Sequence, residues 1–446
     1  MTTDQNYQQI YRVGGMLDSG FVGQITYTIS LDQVYDELDI HFSFDKRLYS
    51  ESDVTPELID RLQTLCTAKY DAPIYPVEEF RQTILHEMKT EIHTMAELND
   101  NFIGCIHRQL TDRHMLYTKE FTSDGCLAQD TFSGVLKVTV LVFNVLLDNT
   151  QYTLTVSGHP VGQGVIAPNF NLMDTVKTAA GNAGASNAAG SADNSCDAES
   201  APASAVATAG SSGVSGAGSA ATAGDSSTTG SSSAGNTVTA STRFKRLELH
   251  NHTVESDGSL TCQELTEYLA ADHVDAFAIT DHNTTSGQKK IEQLLEEKHY
   301  PISLIRGMEY TTYFGHILCL NLAKYVPWNS IDQHRPELLF EAAREKGALV
   351  GIAHPFSYGD PFARGCRFEM TISDYSKVDF IEIFNNPEPL HEVNERGTNL
   401  WMSLIFSGYQ ITATSGMDLH NRAKLAGCYA TYIEGKSGGN IASELD

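Results

Sequence analysis

Residues 246–257 read RLELHNHTVESD: a short apolar run ends at two histidines, and a loop with Asp257 follows. Short apolar runs bounded by polar residues are typical of buried strands. Side chains two positions apart in a strand point to the same side, so the pattern places His250 and His252 together. Four further runs end at a residue type that binds metals: AFAITDH (276–282), SLIRGME (303–309), GALVGIAH (347–354) and ITATSGMD (411–418).

The segments between these runs carry helix signals. Thr261 and Glu264 form the pattern of a capping box. Pro336 in a first turn and Gly347 just past an end bracket another helix. Helical stretches are also predicted at 287–299 and 391–407, and one more apolar run at 380–385. This alternation of strands and helices predicts an α/β fold with a parallel sheet or barrel in a domain spanning residues 243–446.

Side chains that bind metals fall almost entirely at the C-terminal ends of these predicted strands. They are His250, His252, Asp257, His282, Glu309, His316, His354, Asp418 and His420. In a β/α barrel those strand ends converge on the face that holds the active site. A single histidine is more often an ordinary surface or core residue. So many carboxylates and imidazoles together would repel one another and lose hydration, however, and divalent cations remove that penalty. The set therefore predicts a metal centre.

The stretches LELHNHTVESDG, AITDHN, GMEYTTYFGHILCL, GIAHP and SGMDLH also show a family resemblance. In order and spacing, from Arg246 to Tyr432, they resemble the motifs of the PHP (polymerase and histidinol phosphatase) superfamily, especially its CehA/McbA-type metallohydrolases. One departure is Met417, where relatives have serine. The resemblance implies a (β/α)7 barrel with up to three metals. It assigns the ligands as His250, His252, Glu309 and Asp418 for one metal, Glu309, His316 and His354 for a second, and Asp257, His282 and His420 for a third.

These residues predict a metal-dependent hydrolase, and a phosphoesterase is the kind of hydrolase that they favour most. Two or three divalent ions would polarise a phosphoryl oxygen and generate a metal-bridging hydroxide, so no side chain need be the nucleophile. Imidazole and carboxylate ligands suit Mn²⁺, Zn²⁺ or Fe²⁺. The expected substrate is a small anionic phosphomonoester or phosphodiester, such as a nucleotide, a short oligonucleotide or a sugar phosphate.

Four residues are candidates for binding that substrate: Arg364, Arg367, Asn385 and Arg422. A planar guanidinium matches the geometry of a phosphate, although each arginine could equally be a solvated loop residue. Two other functions remain open at this stage. The same metals could hydrolyse a non-phosphate ester or a carbamate, or they could stabilise a binding module that catalyses no reaction.

The first part of the chain predicts a different architecture. Apolar and β-branched runs recur at 21–31, 38–45, 114–121, 134–147 and 151–158, and helical patterns occupy 55–70 and 77–98. We interpret residues 1–172 as an antiparallel β-sandwich domain with a helical insertion, whose partner is unknown. Its histidines show no ligand spacing and are expected to be ordinary surface or core residues. They are His41, His86, His93, His107, His114 and His159.

Residues 173–242 consist mainly of Ala, Gly, Ser, Thr and Asn, without Leu, Ile, Phe, Tyr or Trp. Such a segment buries too little apolar surface to fold and is expected to be a disordered linker. The chain carries a formal net charge of −26, which argues against a general nucleic-acid surface. It has no apolar run long enough to cross a membrane and no signal-peptide pattern, so a cytoplasmic location is expected.

Overall fold

The computed structural model describes residues 7–70, 77–146, 149–161, 243–329, 331–332, 334–386, 391–425 and 427–435. The linker predicted at 173–242 lies outside these residues. All of the described residues belong to one compact unit. No helix within the described ranges is both long and apolar enough to cross a bilayer.

An antiparallel sheet of seven strands dominates the N-terminal part. The strands are β1 (Gln8–Leu17), β2 (Gly23–Phe44), β3 (Glu91–Leu98), β4 (Asn101–Ile106), β5 (Asp112–Tyr117), β6 (Phe132–Asn144) and β7 (Thr150–Pro160). Their order is β1-β7-β2-β6-β3-β4, and β5 pairs with β2. The prediction of a β-rich, antiparallel region is confirmed. The expected sandwich differs from the structure, because these strands share one hydrogen-bonded sheet instead of two.

The helical insertion consists of α1 (Pro56–Tyr70) and α2 (Val77–His86). The predicted helix at 77–98 is wrong beyond His86, because residues 91–98 form β3. The sequence EIHTMAEL contains good helix formers, but β3 lies between β6 and β4 and is buried along almost its whole length. Hydrogen bonds to two neighbouring strands and burial on both faces outweigh the weak local preference for a helix.

The C-terminal part contains a mixed sheet of eight strands. They are β8 (Arg243–Glu248), β9 (Ala276–Ile279), β10 (Ser303–Thr312), β11 (Gly315–Leu320), β12 (Leu349–Ile352), β13 (Phe380–Asn385), β14 (Thr412–Gly416) and β15 (Thr431–Gly435). The order is β14-β13-β12-β11-β10-β9-β8-β15. An additional parallel bridge joins Asn251 to Leu419 and brings the chain after β8 beside the chain after β14.

This sheet supports the predicted α/β class but differs from a regular (β/α)7 barrel. Strands β10 and β11 form an antiparallel hairpin, and β11 also runs antiparallel to β12. The parallel neighbours are β8 with β9, β9 with β10, β12 with β13 and β13 with β14. The hairpin has a tight connection at Tyr313–Phe314, which leaves no room for a helix between its strands.

Among the described residues, four α-helices lie between the C-terminal strands: α3 (Cys262–Ala271), α4 (Ser286–Lys298), α5 (Glu337–Arg344) and α6 (Glu392–Phe406); a short 3-10 helix occupies Tyr375–Lys377. The capping box predicted for the first is confirmed, since Thr261 and Glu264 cap each other's backbone N–H groups. Gly347 and Gly408 follow two of these helices with φ angles of +83° and +93°, values that favour glycine over residues with a Cβ.

One hydrophobic core joins the two parts of the chain. Met95 and Phe143 of the N-terminal sheet pack in the same buried cluster as Met308, Tyr310 and Trp328 of the C-terminal part. The Phe143 ring lies 6.5 Å from the Trp328 ring, measured between centroids. The N-terminal sheet therefore packs directly on the region that contains the predicted metal ligands.

Candidate metal centre

The backbone brings the ligand-type side chains together through strand pairing. The His252 N–H donates to the Leu419 carbonyl at 3.0 Å, and the Leu419 N–H donates to the His250 carbonyl at 3.1 Å. His250 and His252 therefore lie beside Asp418 and His420. A second parallel bridge pairs His282, which follows β9, with Glu309 on β10. His316 on β11 and His354 after β12 complete the set.

Glu309 lies at the middle of this cluster and is fully buried. Its Oε1 atom is 2.9 Å from His316 Nδ1 and 3.0 Å from His354 Nε2. Its Oε2 atom faces three other imidazoles. The distances are 3.2 Å to His250 Nε2, 3.4 Å to His252 Nε2 and 3.0 Å to His282 Nδ1. The two oxygens of one carboxylate thus face two different groups of histidines.

Two aspartates lie on either side of this centre. Asp418 Oδ1 is 3.0 Å from His252 Nε2 and 3.4 Å from His250 Nε2. Asp257 Oδ1 is 3.3 Å from His420 Nε2 and 3.6 Å from His282 Nε2. The structure therefore brings all nine predicted ligand residues into one continuous cluster.

Within this cluster, three groups have ligand atoms that all lie within 4.8 Å of one another. They are His250, His252, Glu309 and Asp418; His282, Glu309 and His316; and His252, Asp257, His282 and His420. Two ligand atoms bound to one zinc at bond lengths of about 2.1 Å are roughly 3.4 Å apart in a tetrahedral site. The separations in the cluster are close to that value.

Unpartnered polar atoms provide a test of whether cations fit this cluster. Buried atoms without a hydrogen-bond partner include His250 Nε2, both ring nitrogens of His252, Asp257 Oδ1, Glu309 Oε2, His316 Nε2 and Asp418 Oδ1. An unpartnered buried polar atom costs about 1–3 kcal/mol. Nitrogen and carboxylate oxygen are donors suited to transition-metal cations, which would use these free lone pairs. The residues present therefore fit a metal centre.

The electrostatics of the cluster are those of a ligand set. Burial raises the pKa of Glu309, but the charges of His250, His316 and His282 outweigh burial and hold it well below its ordinary value. Burial lowers the pKa of His354, yet its hydrogen bond with Glu309 raises that pKa to about 9. Burial and the neighbouring imidazoles lower the pKa of His252 to about 3. Histidine binds a cation only as a neutral imidazole, so a cation bound beside Glu309 would displace the proton from His354.

A buried carboxylate, Glu382 on β13, supports the cluster from behind. It accepts a hydrogen bond from His250 Nδ1 at 3.0 Å and another from the His354 backbone N–H at 3.0 Å. The Asn385 side-chain amide donates to Glu382 at 3.1 Å. An Nδ1–H held by a carboxylate leaves Nε2 of the same ring as the lone-pair donor. The orientation of His250 towards Glu309 and Asp418 therefore depends on Glu382.

Comparisons with known proteins found one family model and several relatives that each match part of the chain. Residues 7–160 match the model of a family of unknown function, DUF6669. An uncharacterized protein of Methanocaldococcus jannaschii, MJ1587, is 30% identical over 112 residues, which are 25% of this chain and 58% of that protein. A 5'-3' exoribonuclease of Haemophilus influenzae is 36% identical over 141 residues, 30% of this chain and 50% of that enzyme. The chain thus spans about half the length of these curated relatives.

Solved structures give weaker likenesses. A two-domain protein from Bacteroides vulgatus, described as containing a predicted PHP-like metal-dependent phosphoesterase, is 18% identical with a TM-score of 0.31. The match covers 40% of this chain and 53% of that one. An amidohydrolase from Chromobacterium violaceum is 15% identical with a TM-score of 0.31, covering 42% and 91% of the two chains.

The candidate substrate residues have varied surroundings. Arg364 pairs with Asp360 at 2.9 Å, and the guanidinium of Arg367 lies over the Phe356 ring. The two arginines flank Cys366, whose carbonyl is 3.2 Å from His354 Nδ1, so both lie in a loop that contacts the metal centre. The other two have different partners. Arg422 lies over the Tyr268 ring, and the Asn385 amide is bonded to Glu382. Substrate binding by these four residues stays a prediction.

Sequence reasoning missed a group of buried N-terminal residues next to the cluster. His107 Nε2 lies 3.2 Å from Asp257 Oδ2, and the His107 ring stacks on His282 with centroids 4.1 Å apart. His93 packs on the other side of His107, at 4.0 Å between centroids. The contacts of His107 with Asp257 and His282 join positions 150 and 175 residues apart along the chain, and His93 packs on His107. No local pattern in the sequence could have identified them.

Proposed function

We propose that this chain is a PHP-type metal-dependent phosphoesterase. The observation that carries the proposal is the position of Glu309, a buried carboxylate within 3.4 Å of imidazole nitrogens from five histidines. A buried carboxylate surrounded by five histidines would be an unusual way to stabilise a fold. A carboxylate that bridges two cations accounts for both oxygens and for the unpartnered nitrogens around them.

The ligand assignment combines the family resemblance with the three groups of atoms, which differ at the second cation, where His282 and not His354 groups with Glu309 and His316. His250, His252, Glu309 and Asp418 would hold one cation, and Glu309 with His316 and His354 would hold a second. Asp257, His282 and His420, together with His252, would hold a third. Cations at these positions would lower the pKa of a bound water and neutralise charge on a phosphoryl group. Mn²⁺, Zn²⁺ and Fe²⁺ are the candidates that this donor set favours.

The chain's own side chains have two tasks in this proposal. Glu382 keeps the His250 ring aligned towards Glu309 and Asp418. Arg364 and Arg367 lie in the loop that touches His354, where their guanidinium groups would bind the non-reacting oxygens of a phosphate. These positive groups, together with the cations, would attract an anionic substrate to a chain whose formal net charge is −26.

A phosphodiester of a short oligonucleotide is the substrate class that we place first. The 5'-3' exoribonucleases among the relatives support it, and a phosphomonoester such as a nucleotide or a sugar phosphate comes second. Both classes need the same chemistry at phosphorus, so the ligand assignment does not depend on the choice between them.

A substrate panel tests this function. Purified protein would be incubated with Mn²⁺, Zn²⁺ or Fe²⁺, or with chelator, and with p-nitrophenyl phosphate, bis-p-nitrophenyl phosphate, 5'-phosphorylated RNA oligonucleotides, and carboxylic ester and carbamate substrates. We expect metal-dependent release of phosphate or of nucleotides, abolished by chelator. Hydrolysis confined to carboxylic esters or carbamates would contradict the phosphoesterase assignment. Metal binding without any turnover would support a binding module instead.

The panel needs a matched control variant. His86→Gln in α2 changes an exposed histidine outside the cluster and is expected to leave turnover unchanged. The sequence analysis groups His93 with His86 as an ordinary histidine. His93 is nevertheless unsuitable as a control, because it packs on His107 beside the metal centre.

A further inference from the structure

A second polar cluster lies next to the proposed metal centre, and neither the ligand assignment nor the comparisons account for it. It consists of Glu91 and His93 on β3, and His107 and Gln109 after β4. All four side chains are buried, with exposures of 6%, 0%, 5% and 7%. Burying four polar side chains in a hydrophobic core is unfavourable unless their hydrogen bonds are met within it.

The cluster touches the metal centre through His107. His107 Nε2 is 3.2 Å from Asp257 Oδ2, whereas Asp257 Oδ1 faces His282 and His420. One oxygen of Asp257 therefore points to the group that would hold a cation, and the other accepts a hydrogen bond from the N-terminal part. A carboxylate ligand whose second oxygen is bonded in this way has a fixed orientation.

The His107 ring is packed between neighbouring rings, and its Nδ1 atom has no hydrogen-bond partner. Its ring lies between the rings of His282 and His93, at centroid distances of 4.1 and 4.0 Å. The Gln109 amide donates to the His107 backbone carbonyl at 3.0 Å. Behind it, His93 Nε2 lies 3.1 Å from Glu91 Oε1. Pairing with β6 sets Glu91 opposite Asn144 and His93 opposite Leu141, so the support extends from β3, the next-to-last strand of the N-terminal sheet, to Asp257.

We propose that His107 is a positioning residue of the metal centre: it donates a hydrogen bond to Asp257 and orients that carboxylate for the cation that His252, Asp257, His282 and His420 would share. The inference rests on the proposed function. It assigns a task to a segment whose matching family has no known function, since the N-terminal sheet would complete a site whose ligands all lie in the C-terminal part.

A separate cation held by Glu91, His93 and His107 is the competing interpretation, because their ligand atoms lie within 4.8 Å of one another. Two observations favour positioning. His107 Nε2 is already directed at Asp257, and the buried guanidinium of Arg113 exerts a positive potential on His93. A second positive charge beside that guanidinium would be unfavourable without further carboxylates.

Metal titration of full-length variants tests the proposal without requiring a substrate. His107→Phe keeps a ring between His282 and His93 but removes the donor. His107→Gln places an amide N–H near the position of Nε2 and should restore part of the effect. Binding of Mn²⁺ and Zn²⁺ would be measured by calorimetry, and the number of ions at saturation by elemental analysis.

We expect His107→Phe to weaken the binding of one cation by about tenfold to a hundredfold, while the other ions and the number bound at saturation are unchanged. His107→Gln should recover part of that loss. If His107→Phe fails to fold, as judged by circular dichroism, His107→Asn is the substitute, because its shorter amide cannot reach Asp257. His159→Gln is the matched control: His159 also contacts an aspartate, Asp36, at 2.7 Å, but at a partly exposed site on β7.

Three outcomes would overturn the inference, and they can be told apart. Wild-type affinity in His107→Phe and His107→Asn would show that Asp257 needs no such support. Loss of one whole ion at saturation in both His107→Phe and Glu91→Gln would show a separate cation site instead. Absence of any bound cation in the wild-type protein would contradict the proposed function itself, and this inference with it.

Discussion

At the scale of single residues, the metal centre depends on side chains that contact ligands as well as on the ligands. Glu382 illustrates this, because it is buried and bonded to both the His250 ring and the His354 backbone. Removing its charge would free the His250 ring to rotate and would change the electron density on Nε2. Replacing a carboxylate that supports a histidine ligand in this way commonly lowers metal affinity or activity by about tenfold to a hundredfold.

We therefore expect Glu382→Gln to lower metal-dependent turnover or cation affinity by about tenfold to a hundredfold, with little change in far-UV circular dichroism. Steady-state kinetics across a range of Mn²⁺ concentrations would measure both quantities. Glu395→Gln, in an exposed position on α6, is the matched control and should behave as the wild type. Wild-type kinetics in Glu382→Gln would show that the carboxylate does not orient the ligand.

The residues of the cluster could be predicted from the sequence because each signal is local. A strand that ends at His282 or Glu309 can be read from about seven letters, and parallel strands bring their ends together. The contribution of His107 could not be predicted, since its contact with Asp257 joins positions 150 residues apart. Glu382 lies between these cases: its strand was predicted, but its pairing with His250 depends on packing.

At the scale of elements, the structure departs from the predicted pattern where tertiary contacts override local preference. The segment EIHTMAEL favours a helix by composition, yet as β3 it pairs with two strands. The predicted alternation of strands and helices contains no antiparallel hairpin, but His316 lies in one. The β10–β11 hairpin places it opposite Thr311, two residues from Glu309. A uniform alternation of strands and helices would have separated these two ligands.

The loop that carries Asp257 gives a prediction at this scale. A Cβ atom on Gly258 would lie 2.4 Å from the His252 carbonyl oxygen, a backbone atom that has little freedom to move. Gly258→Ala should therefore displace the loop and Asp257 with it. We expect the affinity for one cation to fall at least about tenfold, measured by calorimetry.

Gly347→Ala is the control for that substitution. Gly347 has a φ of +83°, but a Cβ there would meet nothing within 4 Å. Alanine in that conformation should lower the free energy of unfolding by roughly 1–2 kcal/mol and leave metal binding unchanged. Equal effects of the two variants on metal affinity would mean that the Gly258 result reflects stability and not the position of Asp257.

At the scale of the whole molecule, the N-terminal sheet and the C-terminal part share a core. Phe143 on β6 is fully buried, and its ring lies 4.8 Å from that of Tyr313, measured between centroids. Phe143→Ala should lower the free energy of unfolding by about 3–5 kcal/mol. Hydrogen exchange should rise in both β3 and β10, because one cavity weakens both sheets.

Phe406 offers the matched control, since its side chain is 83% exposed. Phe406→Ala should change the free energy of unfolding by no more than about 0.5 kcal/mol. Faster exchange confined to the N-terminal sheet in Phe143→Ala would contradict a shared core. It would indicate instead that the C-terminal part is stable without the N-terminal sheet.

The segment at 173–242 provides another prediction at this scale. Its composition cannot support a core, so we expect limited proteolysis to cut there first. A variant lacking most of the segment, with a short flexible connection, should retain metal binding and turnover. Slow cleavage within 173–242, or loss of metal binding on its removal, would show that the segment is structured or takes part in the site.

The central claim is that Glu309 bridges cations, and the number of bound ions tests it most directly. Elemental analysis of wild-type protein, purified without chelator, should give about two to three transition-metal ions per chain. Glu309→Gln preserves side-chain size but removes the charge that both ions share. The Glu309→Gln variant should therefore bind fewer ions by more than one per chain. Its turnover should fall at least about a hundredfold, and its far-UV spectrum should stay near normal. Fewer than one ion per wild-type chain, or an unchanged metal content in Glu309→Gln, would contradict the account.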